Sequence, residues 1–454
     1  MAIGDSSNVA VGERAERGRF IPAADPTKGA FLWLSAFFVV YCARPEDWIP
    51  GLKYLPLAKI TAVLAMWGLF NSLGKTRRHY NDRPKEARML LAMIVLMYIG
   101  AFTSPIWRGG AITNTIAFSK IYIAWMLVFL LITTFERLRR VIFIQAVSVA
   151  VVCAAAIYKG RNTPRLNGVL AGIYSNPNDL AFAIVLSMPF ALAFMVTARN
   201  PVKKVLWLIA MLIMTVALFL TASRAGFLNL LICGSVTLYH FAIKGKRMYL
   251  LVATVFLGVI IGATAGGKLY SRFAALSGQG SSARDQSAYE SYQARIFLME
   301  RAVQGIFTYP VFGVGARNFP AYSTVWHDVH MTYLQIMVEG GIPVGILYLA
   351  FFYRAFLNLK ILLKTKNLDE HTVLFIGALF SSLVGYVVGA LFAPEAYQLF
   401  PYFSVAFTSA LLQTVKEQEE MQGPGPNTPP PRRGRHFLEA YADRGTTGAM
   451  SPVR

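Results

Sequence analysis

Charge is scarce in this chain, and negative charge is scarcest. Only 15% of its 454 residues are Asp, Glu, Lys or Arg, against about 25% in an ordinary soluble domain. Asp and Glu together number 23, against 44 Lys and Arg. So little charge argues against a soluble globular domain. Cysteine is also rare. Cys42, Cys153 and Cys233 are the only three, each inside or at the edge of an apolar run, which excludes a disulfide framework and a CxxC metal site. They read as small residues facing lipid or the core. No internal repeat is present, and no A-x-A site follows the first apolar run. The polar, mixed-charge segment 1–28 therefore reads as a cytoplasmic N-terminal segment and not as a signal peptide.

What is abundant is hydrophobic sequence, 55% of the chain, in runs long enough for the roughly 20 residues that span a bilayer. We mark spans near 29–43, 56–73, 89–105, 119–134, 141–158, 179–197, 205–222, 226–243, 248–265, 342–359, 372–392 and 398–414. The net charge of +21 lies between them. In a soluble protein that excess would point to nucleic acid; here membrane topology accounts for it.

With the N-terminus in the cytoplasm, every short inner loop carries at least three Lys or Arg, from the Lys75–Arg88 cluster and Arg137, Arg139 and Arg140 onward. The short outer loops carry fewer: Arg44, Lys53, Arg108, Lys120, Lys159, Arg161, Arg165 and Arg224. This places 266–341 outside, between spans nine and ten. The segment is too polar for lipid and has helical periodicity over Ala294–Phe307, so we expect a periplasmic loop subdomain with helices lying across the membrane surface. The resulting plan is 1–28 cytoplasmic, 29–265 transmembrane, 266–341 periplasmic, 342–414 transmembrane and 415–454 a disordered cytoplasmic tail rich in Pro and Gly. The fold class is an all-α polytopic membrane protein of about twelve helices.

Candidate chemistry lies on the outer side. Thr221-Ala-Ser-Arg-Ala-Gly226 is the whole connection between spans seven and eight. It sets Arg224 at the level of a lipid phosphate or diphosphate, which a guanidinium grips bidentately; the alternative is snorkelling to headgroups. The cluster His327-Asp-Val-His330 precedes the next span, where a histidine can act as a general base. The alternatives there are a metal site with Asp328, or a histidine hydrogen-bonded at a loop end. Arg295 and Arg301 lie about 120° apart on the loop's helix, so they are not expected to face one ligand; one is expected to be at the surface or ion-paired, with the adjacent Glu300 as the candidate partner. The Gly313-Val-Gly315 step reads as a tight turn and not a phosphate loop. Tyr174-Ser-Asn-Pro-Asn-Asp179 reads as a turn and N-cap, with Asp179 or Asn178 capping. Glu46 and Asp47 read as a solvated loop.

Taken in order, Ser-Asn-Pro-Asn-Asp-Leu (175–180), Thr-x-Ser-Arg-Ala-Gly (221–226), Arg295, Pro-x-Phe-Gly-Val-Gly-x-x-Asn-Phe (310–319) and His-x-x-Tyr-Leu-Gln-x-x-x-Glu-Gly-Gly (330–341) resemble the O-antigen ligase/Wzy polymerase superfamily. The resemblance covers about 165–355. Arg44-Pro-Glu is similar to the exosortase-associated O-glycosylation ligase-like branch. The resemblance implies a metal-independent, inverting glycosyltransferase of GT-C type in the bacterial inner membrane, active on the periplasmic side and without a cofactor. Its donor would be a polyprenyl-diphosphate-linked glycan, its acceptor lipid A-core, a glycan or a protein, with no nucleic acid partner. It implies His330 as catalytic residue and Arg224, Arg295, Asn178, Tyr333 and Glu339 as substrate-binding residues, with no metal ligand. Met331 departs from the Asn that often follows that histidine in the family. Ligase, repeat-unit polymerase and protein O-oligosaccharyltransferase all fit the motifs. A non-enzymatic transporter or flippase fits the spans but not the His and Arg gathered outside, and no charge lies deep in the spans as an ion relay.

Overall fold

Asn-Pro steps start two of the longest apolar helices. The side chains of Asn176 and Asn200 accept hydrogen bonds from the N–H groups of Asn178 (3.0 Å) and Val202 (2.8 Å). Pro177 and Pro201 take the first helical positions, where an N–H has no intrahelical partner. The expected cap on Asp179 or Asn178 is therefore corrected to Asn176. A residue before proline is pushed to extended backbone, and Asn176 has ψ 135°, the N-cap geometry. The Asn178 side chain is left for other work.

The computed structural model describes residues 25–49, 51–72, 78, 83–163, 166, 172–174, 176–256, 258–259, 283–325, 327–365 and 368–422. Among them no strand occurs. The α-helices of five residues or more are α1 (Lys28–Ala43), α2 (Leu57–Asn71), α3 (Lys85–Phe102), α4 (Arg108–Leu131), α5 (Phe135–Lys159), α6 (Pro177–Thr197), α7 (Pro201–Thr221), α8 (Arg224–Leu238), α9 (Ala283–Thr308), α10 (Phe319–Ser323), α11 (Thr332–Gly340), α12 (Ile342–Lys364), α13 (Glu370–Gly389) and α14 (Leu399–Gln422). A π-helical turn, Tyr239–Lys244, continues α8. Seven of these, α4 to α8 with that turn, α12 and α13, are long and apolar enough to cross a membrane, and α1 and α2 are shorter apolar helices. The expected span 248–265 is helical over 248–256, and its end lies outside the described residues.

Several boundaries differ from the expected spans: α5 begins at Phe135 and takes in Arg137, Arg139 and Arg140, and α12 runs to Lys364 and takes in Arg354, Lys360 and Lys364. Helix α4 begins at Arg108, not near 119, so Lys120 sits within a helix and not in a loop. Helix α14 runs through Gln422, so 415–422 does not belong to a disordered tail. The reason is Arg78, which is only 2% exposed. Its guanidinium donates to Glu417 at 2.7 Å, Thr414 Oγ1 at 2.7 Å and the Phe129 and Ile132 carbonyls at 2.8 and 2.6 Å. A cation so enclosed needs its donors satisfied, and the last turns of α14 supply Thr414 and Glu417 while the end of α4 supplies the two carbonyls. The rest of the tail, 423–454, lies outside the described residues, as does the N-terminal segment 1–24.

The bundle has two chemically distinct ends. At one, Tyr174 donates to the Cys42 carbonyl (2.7 Å), Ser104 to the Val314 carbonyl (2.6 Å) and the Thr332 N–H to the Ala390 carbonyl (2.8 Å). At the other, ion pairs join Arg78 to Glu417, Arg137 to Asp25 and Arg247 to Glu370. The loops assigned to opposite sides by the Lys/Arg count thus gather at opposite ends. Between them the helices interlock through aromatic pairs such as Phe38–Phe403 (4.5 Å) and Phe352–Tyr386 (4.6 Å). The three cysteines are buried and free. A second, smaller apolar cluster of Leu298, Ala302, Ile306, Val314, Phe319, Val329 and Val338 binds α9 to α11 and the segment before α10.

Candidate functional site

The hairpin between α7 and α8 is as short as the sequence implies. Ala222 turns the chain in the left-handed region (φ 53°), and Ser223 then caps α8, accepting from the Gly226 N–H at 3.0 Å. Arg224 is therefore the first residue of α8. The Ser223 hydroxyl donates to Asn178 Oδ1 at 2.7 Å, so the freed Asn178 side chain ties the start of α6 to the start of α8. Gly226 permits this: a Cβ there would stand 2.6 Å from Ala181 Cβ on α6. Two helix N-termini, each with the positive end of its dipole, meet beside Arg224, a setting that favours an anion.

His330 lies just before α11, and that helix is riveted in place. Thr332 Oγ1 donates to the Ala393 carbonyl (2.6 Å) and accepts from the Glu395 N–H (2.9 Å), and Tyr333 donates to the Val387 carbonyl (2.8 Å). The Tyr333 hydroxyl proton is thus spent on the backbone. Arg295 is carried by α9, which packs on α11 through the Leu298–Val338 cluster. Its Nε is buried without a hydrogen-bond partner, and among the described residues it forms no ion pair. Arg301 turns elsewhere. It donates to Gln304 at 2.7 Å in an exposed contact and lies over the Tyr322 ring at 5.2 Å; of the two expected alternatives, surface or paired with Glu300, this is the surface one.

Electrostatics links the three candidates. Burial, reinforced by the positive charge of Arg295 and then by His327, pushes His330 down to about 4. Burial and then the charge of Arg224 lower the pKa of Arg295. Arg295 therefore lies within electrostatic reach of both Arg224 and His330, and Asn178 is tied to the Arg224 hairpin through Ser223. The imidazole is neutral at pH 7 and able to accept a proton. Two guanidinium groups close enough to repel store an unfavourable interaction that a diphosphate would relieve.

Glu339 sits apart from this group, 1% exposed. It accepts from the Tyr397 hydroxyl (2.5 Å) and the Phe319 N–H (3.4 Å), and burial first of all raises it to about 8. The Pro310–Phe319 motif is its partner. The Val314 and Gly315 N–H groups donate to the Val338 and Glu339 carbonyls (2.9 and 3.0 Å), and Ile342 N–H donates to the Pro310 carbonyl (2.8 Å). The glycine-rich turn is a clip that holds α11. Gly341 closes it with φ 85°, and a Cβ there would stand 2.2 Å from the Val311 carbonyl oxygen. Replacing Gly341 by Ala combines a forbidden φ with a backbone clash, so we expect a loss of about 2–3 kcal/mol or more. A clear drop in Tm of the detergent-purified protein measures it; an unchanged Tm contradicts the clip.

Three residues near the site escaped the sequence reading. Arg317 has φ 54°, lies over the Tyr397 ring at 5.2 Å and bears on Asp328, whose pKa burial raises and Arg317 then lowers. Glu395, 4% exposed, follows α13; burial and then the charge of Asp179 hold its carboxyl well above the usual range. Tyr397 holds Glu339. An acid between two apolar spans, as in Ala393-Pro-Glu-Ala-Tyr397, was a visible signal for Glu395; nothing marked the other two. Glu46 and Asp47 are not a solvated loop. Asp47 pairs with Arg44 and Glu46 lies 3.8 Å from it, with side chains 10% and 19% exposed, because Arg44 turns back over them with φ 45°.

The curated proteins compared with the chain give no match. The family model described as O-antigen ligase, Wzy_C, matches residues 209–349, which include most of α7, all of α8, α9 and α11, and the candidate site residues Arg224, Arg295 and His330. Residues 209–349 are thus similar to the O-antigen ligase family, in the stretch where the sequence motifs had pointed to the O-antigen ligase/Wzy superfamily.

Proposed function

We propose that this protein transfers a glycan from a polyprenyl-diphosphate carrier to an acceptor hydroxyl at the periplasmic face of the bacterial inner membrane, as an O-antigen ligase-like, inverting GT-C-type enzyme. The observation that carries the reading is the convergence of Arg224, Arg295 and His330 at one end of the bundle, with the Arg295 Nε buried and unpartnered. The acceptor oxygen attacks C1 of the donor sugar on the side away from the diphosphate. The new C1–O bond forms as the C1–O bond to phosphate breaks. The hydroxyl proton passes to His330, and the electron pair leaves with the polyprenyl diphosphate. Arg224 and Arg295 stabilise that leaving charge in the role a metal ion has elsewhere. Asn178 orients the hairpin that presents Arg224. Tyr333 and Glu339 fix α11, and through it His330, in addition to any contact with the sugar.

The pH dependence carries a signature. Burial and the neighbouring positive charges hold His330 down at about 4. Above that pH it is a neutral base; as pH falls through it, protonation removes the base. We expect kcat/KM to stay flat from about pH 8 to 5 and to drop near 4, since that parameter reports the free enzyme. A bound diphosphate offsets the two guanidinium charges, so the acid limb of kcat should lie higher, toward the ordinary histidine value near 6.5. Coincident limbs near 6.5 in both profiles would contradict the assignment.

The sidedness is tested by single-cysteine labelling in intact cells. A membrane-impermeant thiol reagent should modify a cysteine at position 285 and leave cysteines at 80 and 430 untouched. Labelling at 80 would reverse the orientation and place the proposed site in the cytoplasm.

A further inference from the structure

The end of the bundle away from Arg224 carries a feature that glycan transfer does not use. A groove of about 1090 Å³ runs between α5 and α7, with the last turn of α6 as its floor. On α5 its wall is Phe143, Val147, Val151 and Ala154, at helical spacings of four, four and three. On α7 the facing stripe is Leu206, Ile209 and Ile213. At one end the apolar walls give way to cations. Arg139 and Arg140 stand one turn before Phe143, Lys203 one turn before Leu206, and Arg199 in the α6–α7 connection.

These cations are held but not neutralised. The Arg139 guanidinium lies over the Phe194 and Phe375 rings at 5.6 and 5.8 Å, and that of Arg140 over Phe31 at 5.9 Å. Among the described residues none of the four forms an ion pair, and Glu136 is the single acid in the lining. The Nδ1 of His371, which lines the same groove, is buried without a hydrogen-bond partner. Stacking of Phe194 on Trp207 (5.0 Å), with Phe143 edge-on to both, makes an aromatic step between the basic mouth and the aliphatic channel. The mouth lies the length of α7 from Arg224, about 30 Å, so it is no part of the transfer site.

We propose that this groove is a binding site for an anionic phospholipid. The phosphate sits among Arg139, Arg140 and Lys203, and one acyl chain lies between α5 and α7. An apolar channel that opens to the lipid side and ends in unpaired cations matches a lipid with a negative headgroup. A soluble phosphate would leave the channel empty, and a zwitterionic lipid would leave the cations uncompensated.

Native mass spectrometry of the full-length protein in mild detergent, titrated with phosphatidylglycerol or phosphatidylcholine, tests this. We expect one phosphatidylglycerol retained with at least about tenfold preference over phosphatidylcholine. At about fivefold per charge, the pair Arg140→Gln and Lys203→Gln should weaken phosphatidylglycerol binding roughly 25-fold. Arg140→Lys with wild-type Lys203 should keep most of it. Ala154→Trp, which fills the channel without touching charge, should also displace the lipid. It keeps the test decisive if the charge variants do not fold. Equal retention of the two lipids, or wild-type phosphatidylglycerol affinity in both the charge and channel variants, would overturn the site. So would an equal loss on changing Lys244 and Lys246 to Gln, because then net charge and not this groove holds the lipid.

Discussion

His330→Ala lowers glycan transfer by roughly 10²–10⁴-fold, the usual scale of general-base help, while donor affinity stays nearly unchanged. The expectation follows from where the ring sits. His330 lies in the short segment leading into α11, and the fixings of that segment belong to other residues: Thr332 to Ala390 and Ala393, Tyr333 to Val387. Removing the imidazole leaves those bonds in place, so the protein should accumulate normally. A histidine that only completed the loop would behave differently, because activity would then follow protein abundance. Transfer and donor binding must therefore be read at matched membrane levels. A well-expressed His330→Ala protein that still transfers would remove the proposed base.

The second large effect belongs to the arginines. Loss of one preorganised group aimed at developing charge typically costs about 10²–10³ in rate. Arg224→Ala should show a loss of that size and, unlike His330→Ala, should also weaken donor binding. Arg224→Lys should restore only part, since lysine keeps the charge and loses the bidentate fork. Arg295→Ala has a further readout. Its positive charge, after burial, is what holds His330 low. Without it protonation of the ring becomes easier, and the acid limb of kcat/KM should move up from near 4. A rate loss without any movement of that limb would mean that Arg295 acts at a distance from His330. The two arginines and the histidine thus separate in binding, rate and pH dependence, although each variant looks inactive in a product assay.

Much of this was legible in the sequence because it is local. The apolar runs, the short Thr221–Gly226 connection and the alternation of basic loops depend on neighbouring residues and on the length of a helix. The structure keeps the short connection and sets basic loops and motif-bearing loops at opposite ends of the bundle, and seven of the described helices are long and apolar enough to cross a membrane. The motif resemblance pointed to Arg224, Arg295 and His330, but not to what holds them. Spacing could not show that Asn178 would bond Ser223, since that depended on Asn176 taking the cap. It could not show that Glu339 would face Tyr397, 58 residues later in the chain. Arg78 read as one more inner-loop cation, and only packing reveals it as the buried anchor that extends α14. In each case the missing information is a long-range partner, and periodicity carries none.

The glycine-rich motif shows the same limit from the other side. Gly313-Val-Gly315 read as a tight turn, and it is one, but its importance lies in what it grips. The clip between Pro310–Gly315 and the end of α11 fixes the helix that follows His330. The motif therefore serves the chemistry through position and needs no contact with phosphate.

The proposed reaction exchanges one C1–O bond for another at this site. The most direct measurement uses purified protein in vesicles with a polyprenyl-diphosphate-linked oligosaccharide and a hydroxyl acceptor. The new linkage is examined by NMR while the released polyprenyl diphosphate is counted. We expect one polyprenyl diphosphate released per glycan joined, with the anomeric configuration inverted, and both products lowered roughly 10²–10⁴-fold in the His330→Ala protein. Retention of configuration, or movement of the intact lipid-linked glycan across the vesicle with no bond formed, would contradict it.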